Sequence, residues 1–119
     1  MRKIIDIKDF VKATLADSDI TSLLPDKKVH FIKPLKPNPP YVTFLIFDED
    51  GEQWEEGNEV ATSYYVQIDI FSKTSDYTEI ENKIKEKMIN AEFRRSMCAD
   101  LYEDETQLYH KAMRFVFTS

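Results

Sequence analysis

At 119 residues the chain has length for one domain around a single modest core, and 42% hydrophobic with 13% aromatic residues excludes wholesale disorder. A formal net charge of −6 argues against a protein that grips nucleic acid by its phosphates, which takes a basic patch, though DNA passing without binding is compatible with it. The one cysteine, Cys98, has no internal disulfide partner, and no apolar run reaches the ~18 residues of a membrane span. A protein of the reducing cytosol is expected, the more so because Met1-Arg2-Lys3 leads into Asp6 and Asp9 instead of an apolar signal core.

In chain order, Ile7, Phe10, Val11, Thr14 and Leu15 repeat at helical spacing, so an amphipathic helix is expected from about Ile4 to Ala16. Asp17-Ser18-Asp19 ends it, or caps a short turn holding Leu23 and Leu24. All five prolines fall between Pro25 and Pro40, and those at 34, 37, 39 and 40 make an extended connector without donors. Val29–Ile32, just before, is a candidate short edge strand.

Tyr41–Phe47 reads as a strand with two apolar faces, Tyr41, Leu45 and Phe47 against Val42, Phe44 and Ile46. Such a strand is covered above and below, or is covered on one face by another subunit. From Asp48 to Glu59 there are seven acids and no base, with Gly51, Gly57 and Asn58 as turn residues. A long acidic hairpin loop is expected there. It leads to Tyr64–Phe71, Tyr-Tyr-Val-Gln-Ile-Asp-Ile-Phe, whose alternation makes it the firmest strand of the chain.

A second helix is expected over Asp76–Ala91, with Asp76 and Glu79 as a capping box or Ser75 as a competing cap. Tyr77, Ile80, Ile84 and Met88 form its apolar stripe, and Glu79–Lys83 and Glu81–Lys85 are i, i+4 pairs for its exposed side. Phe93, Met97, Ala99 and Leu101 alternate with Arg94, Ser96, Cys98 and Asp100. They give either a strand, joined through Tyr102–Gln107 to a last strand Leu108–Phe117, or a continuing helix. The fold class expected is α+β: an antiparallel sheet of about four strands with two main helices packed on it.

Catalytic signatures are lacking in this sequence. Two glycines, Gly51 and Gly57, are too few for a P-loop or a dinucleotide fingerprint. One cysteine and two histidines give no soft-ligand cluster. Asp48, Asp50 and Glu52 have calcium-loop flavour, but Gln53 stands where such a loop needs glycine, so a solvated acidic segment is the better reading. A Cys98–His110 nucleophile pair has no orienting third residue, and Asp69 is expected to point outward beside Gln67 as a solvated or interface acid. No cofactor, metal or enzymatic activity is expected. Trp54 either folds back on the sheet or anchors a partner. The candidate contact surface is the acidic segment: Asp48, Asp50, Glu52, Trp54, Glu55, Glu56 and Glu59.

The order of elements resembles the tail completion proteins of tailed bacteriophages and prophages. That resemblance rests on the first helix, the proline-rich connector, Tyr-Val-Thr-Phe-Leu, the acidic segment, Tyr-Tyr-Val-Gln-Ile-Asp-Ile-Phe-Ser and the second helix. The ending, Asp100-Leu101-Tyr102-Glu103, then Leu108-Tyr109-His110-Lys111 and Met113-Arg114-Phe115, is similar as well. At the glycine position expected before Phe93 stands Glu92. The resemblance implies a tail terminator or head–tail joining role in the virion: a ring of copies, commonly six, meeting other tail and head-connector proteins. It also implies synthesis in the host cytoplasm and a monomer in isolation. It implies neither sequence-specific nucleic-acid binding nor a membrane partner. The competing reading is a small cytosolic adaptor or regulator that holds one protein partner through the acidic segment.

Overall fold

The computed structural model describes residues 6–55 and 58–119, with side chains described outside 52–60. The chain runs α1 (Ile7–Leu15), α2 (Ser18–Thr21), β1 (His30–Phe31), β2 (Tyr41–Glu55), β3 (Asn58–Ser72), α3 (Thr78–Asn90), β4 (Arg94–Glu103) and β5 (Leu108–Thr118). The strands form one sheet in the order β1-β2-β3-β5-β4. All neighbours are antiparallel except β1 and β2, which are parallel.

The α+β class holds, with two corrections. Among the described residues the sheet has five strands and is mixed, where about four antiparallel strands were expected, and a one-turn helix stands beside the two main helices that were expected. Both follow from local chemistry. The connector carries the chain back to the start of β2, so β1 and β2 point the same way. Their pairing is confined to His30↔Thr43 and Phe31↔Phe44, because the prolines that follow have no N–H to extend it. The extra helix α2 is a single turn capped by Asp17, whose carboxylate accepts the Asp19 N–H at 2.9 Å.

The first helix is capped by Asp6, which accepts the Asp9 N–H at 3.1 Å, and buries Ile7, Val11 and Leu15. The stripe on α3 is also as expected, since Tyr77, Ile80, Ile84 and Met88 are buried. Its start is not. Neither the Asp76–Glu79 box nor Ser75 caps it, and no side chain caps the helix, which begins at Thr78. Thr74 Oγ instead takes the Asp76 N–H at 3.3 Å and holds the chain in a turn for two more residues. The far end closes with the Phe93 N–H on the Met88 carbonyl and the Glu92 N–H on the Ile89 carbonyl, at 3.0 and 2.9 Å. This double bond pattern requires a left-handed residue between helix and strand, and Glu92 supplies it at φ 73°.

One pair expected on the exposed side of α3 is buried. Glu81 is 9% exposed and lies between Lys85 and Lys111, at 3.5 Å from the latter. Lys83 meets Glu86 at 3.7 Å. Lys111 also stands 3.2 Å from Asp100, which accepts the Tyr77 hydroxyl at 2.6 Å. Burial and the Asp100 carboxylate push the Tyr77 phenol up to about 12. The Tyr77 hydroxyl, then Lys111, hold Asp100 below the usual carboxylate range. Burial works against the charge on Lys111, but its bonds to Asp100 and Glu81 outweigh it and hold the ammonium above its ordinary value. The cluster ties α3 to β4 and β5.

The alternation in β4 is broken by a bulge between Arg95 and Met97. Phe93 therefore reaches the core on the same side as Cys98, although simple alternation sets them on opposite faces. The region is a strand, and the helical alternative for it falls away. All three helices lie on one face of the sheet, where Val42, Phe44, Val66, Ile68, Ile70, Met113 and Phe115 meet them in a single apolar cluster. Side chains as large as Phe44, Ile84 and Phe115 are sealed from water there, each stabilising the fold by ~1.5–3 kcal/mol relative to exposure.

Candidate assembly surfaces

The segment expected as an acidic loop is instead a continuation of β2 and β3. Their ladder runs from Tyr41↔Phe71 out to Trp54↔Glu59 and Glu55↔Asn58, with bulges at Ile46/Asp48 and near Gln53. Acids are poor strand formers, but they are tolerated in a paired ribbon where their carboxylates reach water, as those of Asp48, Glu49 and Asp50 do. Glu52, Trp54, Glu55 and Glu59 are placed by backbone alone, and Glu56 lies outside the described residues. The flanking strand β5 accompanies β3 only as far as Ser63↔Thr118. Beyond that pair the hairpin continues as a two-stranded arm, and the molecule is elongated, 52 × 28 × 25 Å.

The sheet face opposite the helices carries a band of rings and polar groups, so the two apolar sides of the Tyr41 strand meet very different surroundings. Tyr41 stacks on Phe71, which stacks on the His110 ring, at centroid distances of 4.9 and 4.4 Å. His110 Nε2 lies 2.6 Å from Asp69, and its Nδ1 lies 3.6 Å from Glu103. The Gln67 amide donates to Asp69 at 2.9 Å and accepts from Arg114 Nε at 3.0 Å. The Arg114 guanidinium in turn covers the Phe47 ring at 4.6 Å. Asp69 does face outward beside Gln67, as its alternation requires, but it is only 4% exposed. It is a buried, fully engaged acid, held by Gln67 along its own strand and by His110 from β5. Among large apolar side chains this face leaves Phe47, Met97 and Leu101 exposed.

Chemistry has little to work with here. Cys98 pairs with Met113 and packs toward the helices, while His110 pairs with Leu101 and faces away from them, so the conceivable nucleophile pair is not assembled. Among the described residues no three His, Cys, Asp or Glu side chains converge as metal ligands. The calcium-loop reading of Asp48, Asp50 and Glu52 fails because these positions lie in a paired strand. One surface has no signal in residue spacing. Lysines of α1 and of the connector, Lys12, Lys28, Lys33 and Lys36, converge around one cleft beside β1. Only the fold of the connector brings Lys12 to the other three.

A small α+β scaffold with a projecting ribbon is suited to building contacts, as a structural assembly protein does. The family described as tail completion protein gp17 matches residues 8–118, and the chain belongs to it. It is thus a phage tail completion protein, a structural component of the virion whose partners are other tail and head proteins. Comparison with curated proteins gave no match.

Proposed function

We propose that this chain, acting as a single domain, closes the end of the phage tail tube as a ring of copies. It serves there as tail terminator or head–tail joining component, with six copies as the resemblance implies. The observation that carries this reading is the acidic arm formed by the ends of β2 and β3. A two-stranded ribbon is marginal in water without a surface to pack on. A ribbon retained at that cost, bearing seven acids and no base over 48–59, is best explained by a contact completed in the assembly. Asp48, Asp50, Glu52, Glu55, Glu56 and Glu59 supply charge to that contact, and Trp54 supplies an aromatic anchor. Acids at the mouth of a tube also keep DNA phosphates from sticking as the genome slides through. Repulsion between like-charged arms prevents copies from meeting arm to arm in the host cytoplasm.

The test is electron microscopy of particles made with and without the gene. Tails that grow overlong, or that fail to join heads, and that are restored by the wild-type protein establish the role. Normal joined tails in its absence refute it.

A further inference from the structure

The region beside β1 carries the charge opposite to that of the arm. An open cleft of about 430 Å³ is lined by Lys12, Lys28, Lys33 and Lys36 around Phe31 and Leu35. All four lysines are exposed. The acid lining this cleft, Asp26, is already engaged by His30 at 3.0 Å and by Asn38 at 3.3 Å, so it does not neutralise the lysines. Leu35 is 105% exposed and Phe31 43%, which leaves apolar surface in the middle of a cationic rim. A partner that is anionic and carries an apolar or aromatic residue matches such a surface.

At its other end the chain exposes Asp48, Glu49 and Asp50, and its sequence continues there with four more acids and Trp54 before residue 60. A copy cannot fill its own cleft. Phe44 pairs with β1 and Glu55 lies eleven residues further along the same strand, roughly 36 Å away at ~3.3 Å per residue. We propose that the acidic arm of one copy docks into the lysine-lined cleft of the next, head to tail. A contact between two different patches is heterologous, and repeated around an axis it closes a ring. The inference rests on the ring reading for its purpose, but the contact itself is testable without a tail.

Two variants reverse exposed residues only, so the fold is preserved: an arm variant, Asp48→Lys with Asp50→Lys, and a cleft variant, Lys33→Glu with Lys36→Glu. Circular dichroism melts verify the fold. Sedimentation velocity at low salt then reads association. Each variant alone is expected to be monomeric. Their mixture is expected to associate with the two variants alternating, because the sound arm of one meets the sound cleft of the other and the two reversed surfaces carry opposite charges that also match. A chain carrying both sets of reversals regains the wild-type distribution, and added salt weakens every complex. A mixture that stays monomeric at all concentrations overturns the proposal. So does a cleft variant that associates as the wild type does, which places the contact elsewhere and leaves the ring reading intact. Binding of a DNA duplex through Lys33 and Lys36, with no association in the mixture, overturns it in favour of a phosphate partner. If the doubly reversed chain associates normally yet the gene proves dispensable for tails, the contact stands and the tail-end role falls.

Discussion

Replacing Asp69 with alanine should destabilise the protein far more than an outward-facing strand acid ordinarily does. The carboxylate is 4% exposed, accepts the Gln67 amide at 2.9 and 3.2 Å, and pairs with His110 at 2.6 Å. Breaking a buried charged pair costs about 3–5 kcal/mol when the stranded partner is sealed, and a stranded neutral donor costs about 1–3. His110 retains 14% of its side-chain exposure and Gln67 is half-buried, so both partners recover part of their hydration. The expected loss for Asp69→Ala is therefore about 2–3 kcal/mol, intermediate between those limits. For a chain of this size that is a fall in Tm of about 6–15 °C. Urea unfolding with unchanged slope is the assay, since a midpoint shift at constant m reports stability alone. Asp69→Asn keeps an acceptor and should cost less than half as much. The cycle with His110→Phe should show a coupling of at least about 1 kcal/mol, because the two side chains share one contact. A loss below about 0.5 kcal/mol for Asp69→Ala, the range of an ordinary surface change, would show that the acid is solvated and that the outer band of rings and polar groups is not cohesive.

Ile68→Ala and Ile84→Ala, which open cavities in the cluster between α3 and β3, should each cost about 2–5 kcal/mol in the same assay. Glu92→Gly should raise stability by about 0.5–1 kcal/mol, since relief of a left-handed residue is worth ~1–2 and the added freedom of the unfolded chain takes back part of it. Tyr77 titrates at about 12 instead of 10.0, so its contribution is fully present below pH 10 and is lost as pH rises toward 12. The wild type should lose Tm more steeply over that interval than Tyr77→Phe, in parallel thermal melts.

Periodicity located the secondary structure well where one face of an element is apolar. Tyr64–Phe71 and Tyr77–Met88 needed nothing but their spacing, because burial on one side selects the period. What spacing does not carry is the effect of a neighbour. The acids after Phe47 look like a loop because acids disfavour strands, yet the ladder with β3 holds them extended as far as Glu55↔Asn58. The bulge at Arg95/Met97 inverts which side chains of β4 reach the core, and alternation alone has no means to announce it. Asp69 was legible as an outward residue, but its burial depends on Phe71, His110 and Gln67 closing around it from two strands. The parallel pairing of β1 is set by the path of residues 32–40 and not by anything in His30 or Phe31. Within the candidate surface, the acids could be read directly, whereas the lysine cleft that matches them exists only once α1 and the connector are brought together.

The central claim is that the arm serves assembly and not stability. Its most direct test joins Asp50 to Ser63 through an Asn-Gly turn, which suits a two-residue hairpin and removes residues 51–62 at a point where the strands are already paired. The shortened protein is purified, melted, and tested for restoring joined tails to a phage lacking the gene. The account predicts a Tm within a few degrees of wild type and no restoration. A shortened protein that unfolds would make the arm structural, and one that folds and restores joined tails fully would contradict the account.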